Sequence, residues 1–163
     1  MSVFRALCKT PFLCYARQKK AQRKYVGPNH QDFGDYLEVN AQTPKDVFDT
    51  CFFGYDALLM TKMAGALNRT DDVKFYTELH TNISNAFTKA FVNTTDGKIK
   101  GDTQAVYVLA LTFELLPQNL RPLAVNQLVD NIKAHGYHYT NGFISNFIFI
   151  TILSEINSYF NFL

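Results

Sequence analysis

The sequence contains no tryptophan, and its three cysteines (Cys8, Cys14 and Cys51) form no CxxC pair. An odd number without that spacing argues against a disulfide framework and against a zinc site. No apolar run reaches the ~18 residues of a membrane-spanning helix. The closest, 143–156, is interrupted by Ser145, Asn146, Thr151, Ser154 and Glu155. Acidic residues are missing altogether before Asp32. Seven of the 16 basic residues lie in that stretch, so the other nine face all 14 acidic ones and the remainder is mildly acidic. The stretch is a poor secretory signal, because Pro11, Cys14 and Tyr15 sit in too short an apolar run, and serine is scarce for a mitochondrial presequence. Residues 1–31 therefore read as a basic, unstructured leader. Neither nucleic acid nor membrane is expected as a partner.

What the chain does contain is enough for one compact domain. It has 163 residues, 47% of them hydrophobic, with 15 Phe and 9 Tyr. From Pro44 the pattern is helical. Thr43-Pro44-Lys45-Asp46 reads as an N-cap, a first-position proline and a first-turn acid. Phe48, Cys51, Phe52, Tyr55, Leu58, Leu59 and Met63 then recur at steps of three and four. Asn68 to Asp71 interrupts, and a second, amphipathic helix follows with Tyr76, Leu79, Ile83, Phe87 and Phe91 on one face. Residues 105–116, AVYVLALTFELL, are apolar nearly all round, which predicts a helix covered on more than one side and ended by Pro117. Ahead of it, Asp96-Gly97 is a tight-turn signal between two short strand-like flanks. A fourth, amphipathic helix is predicted over 120–134 and stops at Gly136. A fifth element, 143–156, is again apolar nearly all round, and its length favours helix. Inner helices alternating with one-faced outer ones predict antiparallel hairpins in two layers, as in a helical solenoid or a closed α/α toroid.

Three longer stretches narrow the choice. They are FGDYLEVNAQTPKDVFDTCFFGYDALLMTKMAGAL, NAFTKAFVNTTDGKIKGDTQAVYVLALTFELLPQNLRPLAV and LVDNIKAHGYHYTNGF. In this order they resemble the six-hairpin glycosidase domain of the bacterial-type α-L-rhamnosidases over 33–143, most tellingly in DGKIKGDTQAVYVLAL. The resemblance implies an all-α fold of antiparallel hairpins forming part of an (α/α)6 toroid, over 32–156, with 157–163 as a tail. It also implies hydrolysis of terminal α-L-rhamnose with inversion, a rhamnose-containing carbohydrate as partner, and no cofactor. Inversion needs an acid on the leaving oxygen and a carboxylate activating water on the opposite face. In the family these lie in segments like DERxGWxGDAQ upstream and TTIWERW downstream, and the chain contains neither. No catalytic residue is therefore assigned, and the chain is expected to be a truncated domain, inactive alone. The alternative is a non-catalytic helical-hairpin protein that binds carbohydrate or protein.

The resemblance assigns substrate binding to Asp35, Tyr36 and Asp102. Tyr36 stands where the family has the aromatic of GDWL, so its ring would pack on an apolar sugar face. On the residues alone, Asp35 reads as a loop acid, Asp46 and Asp49 as first-turn helix acids, Asp56 as a solvated position and Asp102 as a helix cap. Lys98 and Lys100 read as solvated charges flanking a turn. His135 and His138 are three apart, but Gly136 breaks the helix between them and no third ligand is evident, so metal is not expected. Incomplete hairpin coverage would leave apolar helix faces exposed for association.

Overall fold

The computed structural model describes residues 34–160, and the expected leader at 1–31 lies outside them. Among the described residues there are five helices, α1 (Lys45–Ala66), α2 (Thr70–Phe91), α3 (Gln104–Thr112), α4 (Arg121–Ala134) and α5 (Phe143–Phe160). The turn at Asp96-Gly97 joins a single antiparallel bridge, Val92 to Ile99, in place of two strands. No helix among the described residues is long and apolar enough to cross a membrane.

The predicted start of α1 is corrected by one residue. Pro44 is the cap position, and its carbonyl accepts the N–H groups of Val47 (3.1 Å) and Phe48 (3.0 Å). Thr43 is drawn inward instead. Its N–H and hydroxyl both donate to Glu38 Oε2, at 2.6 and 2.7 Å. An acceptor five residues upstream has won over the helix end.

The third helix ends earlier than its apolar run. It stops at Thr112, and Glu114 turns the chain with φ 58° while Leu115 N–H bonds back to Ala110 O at 3.0 Å. This is a left-handed C-terminal turn without the glycine it favours. Asn68 and Gly136 close α1 and α4 the same way, with Arg69 N–H to Ala64 O and Tyr137 N–H to Ile132 O, both 2.9 Å. Leu115 and Leu116 stay buried beyond the helix because neighbouring side chains take up the freed carbonyls. His80 Nε2 lies 3.0 Å from Phe113 O, the Ser84 hydroxyl donates to Leu115 O (2.9 Å), and Arg121 Nη1 donates to Leu111 O (3.1 Å). Buried backbone polar groups need partners, and here the amphipathic α2 supplies two of them.

Layering follows the apolar pattern. Every residue of α3 from Gln104 to Leu111 is buried, whereas α2 buries only Ile83, Phe87 and Phe91. α1 packs chiefly on α2, and α3 is flanked by α5, α4 and α1. Tyr55 stacks on Phe113 with ring centres 4.2 Å apart, and Phe52 meets the same ring edge-on at 5.3 Å. Gly54 allows this approach, since a Cβ there would lie 2.5 Å from Leu115 Cδ2. The fifth helix departs from its all-round apolarity. Ser145, Phe149 and Ile152 face inward, while Phe143, Phe147 and Ile150 are 61%, 72% and 71% exposed.

Candidate functional site

The segment 34–43 lies against the approach to α5, and Asp35 is the fastening. Its side chain is buried, and both carboxylate oxygens are bound to the start of that helix. Oδ2 accepts from Gly142 N–H (2.8 Å) and from the Ser145 hydroxyl, and Oδ1 accepts from Ser145 N–H (3.0 Å). These are groups a helix start leaves without internal partners, and an anion there is favoured by the helix dipole. Gly142 is required at the joint, because a Cβ would lie 2.1 Å from Asp35 O.

Two backbone bonds extend the contact, Phe143 N–H to Tyr36 O (2.6 Å) and Val39 N–H to Thr140 O (3.2 Å). From the other side, the fully buried Gln104 at the start of α3 donates to His138 O and accepts from Thr140 N–H, both at 3.0 Å. Gln104 thus ties the inner helix to the same strap. On its outer side the strap forms an open concavity of about 560 Å³, lined by residues 35–38 and 40–42. Tyr36 is 54% exposed there, and Glu38 is half-buried. Burial raises the Glu38 carboxyl above its ordinary range, opposed by its two bonds from Thr43, with the nearby Asp35 charge adding to the rise.

The structure brings Asp35 and Tyr36 together at this concavity and places Asp102 outside its wall. Asp102 is not a side-chain cap. Thr103 occupies the cap position of α3, and Asp102 has φ 51°. Its carboxylate takes the Tyr107 hydroxyl (2.5 Å) and pairs with Lys98 Nζ (2.7 Å), while its carbonyl accepts from Asn131 Nδ2 (2.7 Å). The Tyr107 phenol is pushed up, first by burial and then by its bond to Asp102.

Lys98 and Lys100 are not free solvated charges. Bonding to Asp102 raises the Lys98 ammonium, and Lys100 Nζ pairs at 2.7 Å with Asp46, which is buried rather than solvated. Asp56 is exposed on α1 as expected, with partial desolvation holding its carboxyl above its ordinary range. His135 Nδ1 lies 2.8 Å from Asn131 O, while His138 offers its carbonyl to Gln104. Among the described residues no group of three potential ligands could hold a metal ion. Glu38 went unassigned from the sequence, where its only signal was Thr43 five residues on. Ser145 had none, since its partner Asp35 is 110 residues away.

Residues 9–160 match the family described as the bacterial alpha-L-rhamnosidase 6 hairpin glycosidase domain. The chain belongs to this family. It is 42% identical over 123 residues to an alpha-L-rhamnosidase of Streptomyces avermitilis, a match covering 76% of this chain and 12% of that protein. The crystal structure of Streptomyces avermitilis alpha-L-rhamnosidase complexed with L-rhamnose superposes with a TM-score of 0.80 at 36% identity. That match covers 90% of this chain and 14% of the solved one. The alpha-L-rhamnosidase of Dictyoglumus thermophilum shares the fold, with a TM-score of 0.75 at 22% identity over 94% of this chain and 18% of its own. The chain therefore spans about 12–18% of the length of these relatives. Its helices are antiparallel hairpins forming part of the six-hairpin rhamnosidase toroid, an all-α fold as the resemblance implied.

Proposed function

We propose that this chain supplies one wall of the sugar site in an α-L-rhamnosidase domain that hydrolyses terminal α-L-rhamnose with inversion. The observation carrying the proposal is the exposed Tyr36 ring on a strap held rigid by buried Asp35. Tyr36 stands at the aromatic position of the family's GDWL segment, so its ring would receive the apolar face of the sugar. Asp35 serves as the anchor beneath that ring. Asp102 serves the reading from behind, by holding the start of α3 through Tyr107.

Inverting hydrolysis needs two carboxyl groups about 6.5–9.5 Å apart on opposite faces of the ring. The chain carries no segment like DERxGW or TTIWERW. Asp35 is committed to α5, which removes it as a mobile acid or base. With each positioned acid or base worth about 10²–10⁴-fold, the 163-residue chain by itself is expected to show no turnover. The test is incubation of purified chain with an aryl α-L-rhamnoside beside Asp35→Asn. Turnover well above buffer that is lost in the variant overturns the assignment.

The bare α5 stripe of Phe143, Phe147 and Ile150 belongs to the same reading. Its occupant is the adjoining hairpin of the toroid, since the relatives carry this unit as a small share of much longer chains. Offered alone, the stripe should drive association. Size-exclusion chromatography with light scattering should show it, with Phe147→Glu/Ile150→Glu returning a monomer. A monodisperse wild-type monomer would count against this face.

A further inference from the structure

Glu38 is held to the strap through only one of its two carboxylate oxygens. Both bonds from Thr43 converge on one oxygen, Oε2, at 2.6 and 2.7 Å. Thr43 is itself braced, its hydroxyl lying 3.1 Å from that of Thr103 at the start of α3. The carboxylate plane is thus fixed by a buried threonine pair, while Oε1 accepts no hydrogen bond among the described residues. Glu38 also lines the same concavity as the exposed Tyr36 ring. A ring and an oriented carboxylate lining one concavity suit a small polyol: one apolar face, and a few polar atoms that fix orientation.

We propose that Glu38 is a specificity-determining residue of this concavity, its Oε1 accepting a hydroxyl hydrogen bond from a neutral sugar packed on Tyr36. The inference rests on the rhamnose reading above and adds to it a residue and a selectivity. An ionised carboxylate is acceptor-only, so it takes hydroxyl donors and repels a carboxylated sugar. Asp35, lining the same concavity, adds a second negative charge. The site therefore prefers a neutral sugar to a uronate.

The experiment is a titration of isotope-labelled chain with L-rhamnose and, separately, with D-galacturonate, followed at the Tyr36 and Glu38 resonances. Glu38→Gln is the informative variant, because its amide oxygen keeps the Thr43 bonds while an NH₂ replaces the free acceptor. Rhamnose should shift both residues in the wild type, and E38Q should weaken that binding about tenfold. Galacturonate should bind more weakly than rhamnose, with the gap narrowing in E38Q. Thr43→Val, which leaves the carboxylate and its backbone N–H bond but removes the hydroxyl bond and the link to Thr103, should also weaken rhamnose severalfold, and this decides the matter if E38Q fails to fold. Undiminished rhamnose binding in E38Q, or in T43V should E38Q be unfolded, overturns the role of Glu38 and leaves the rhamnose reading standing. Absence of any rhamnose shift at Tyr36 in the wild type overturns both.

Discussion

α3 and α5 are both apolar nearly all round in sequence, yet one is sealed and the other is half bare. α3 lies between three helices and buries eight consecutive residues. α5 packs on α3 alone among the stronger helix contacts and leaves Phe143, Phe147 and Ile150 outside. All-round apolarity therefore reports how many sides a helix is built to have covered. How many are covered depends on the neighbours present. The contrast extends to the ends. The end of α3 is gripped by His80, Ser84 and Arg121, whereas the described hold on α5 is at its start, through Asp35.

The comparison breaks most sharply under truncation of one residue on each helix. Leu109→Ala in α3 should cost about 2–5 kcal/mol by loss of buried methyls and an unfilled cavity. At chain concentrations too low for association, Phe147→Ala on the α5 stripe should stay within about 0.5 kcal/mol of wild type, as an exposed substitution does. Urea midpoints of the two variants measure the difference, and equal losses would mean that α5 is covered after all. Removing the fastening of α5 comes next. Asp35→Ala leaves two buried N–H groups without their acceptor and should cost about 1–3 kcal/mol. Amide exchange should then rise selectively at Gly142 and Ser145.

Smaller effects sharpen the picture on the α3 side. Lys100→Met loosens the turn leading into α3, but Lys100 is half-exposed, so less than about 1 kcal/mol should be lost, and less still in high salt. The smallest effect is a pH dependence. The Glu38 carboxyl is raised in the folded state by burial, from an ordinary value of 4.5. The folded chain thus holds a proton that the unfolded chain has shed. Stability from this group is fully present below that ordinary value and is lost as pH rises through the raised one. Thermal midpoints should decline gently over this window, and Glu38→Gln should flatten the decline in part, because Asp56 is raised in the same sense.

Features with a period or a local break were legible in the sequence. The single apolar face of α2, the burial of α3 and the stops at Asn68 and Gly136 needed only spacing and turn chemistry. The resemblance assigned Asp35 and Tyr36 to substrate binding; that Asp35 fastens the start of α5 was not legible from it. What could not be read were choices between competing partners. Thr43 had a helix end and a carboxylate within reach and took the carboxylate. Glu114 turned the chain inside an apolar run because carbonyl acceptors were already served from α2 and Arg121. Asp46 met Lys100 across 54 residues, a distance that no local pattern encodes.

The Asp35 fastening also sets an order of assembly. Its bonds to Ser145 span 110 residues, so closing them carries a long loop's entropy and gains nothing until both ends are in place. The hairpin of α1 and α2, made from neighbouring chain, can form on its own schedule. The concavity beside Tyr36 cannot, because its floor is pinned to a helix start that leaves the ribosome last among the five. On a growing chain, the strap along this concavity is therefore the final piece of this unit to take shape.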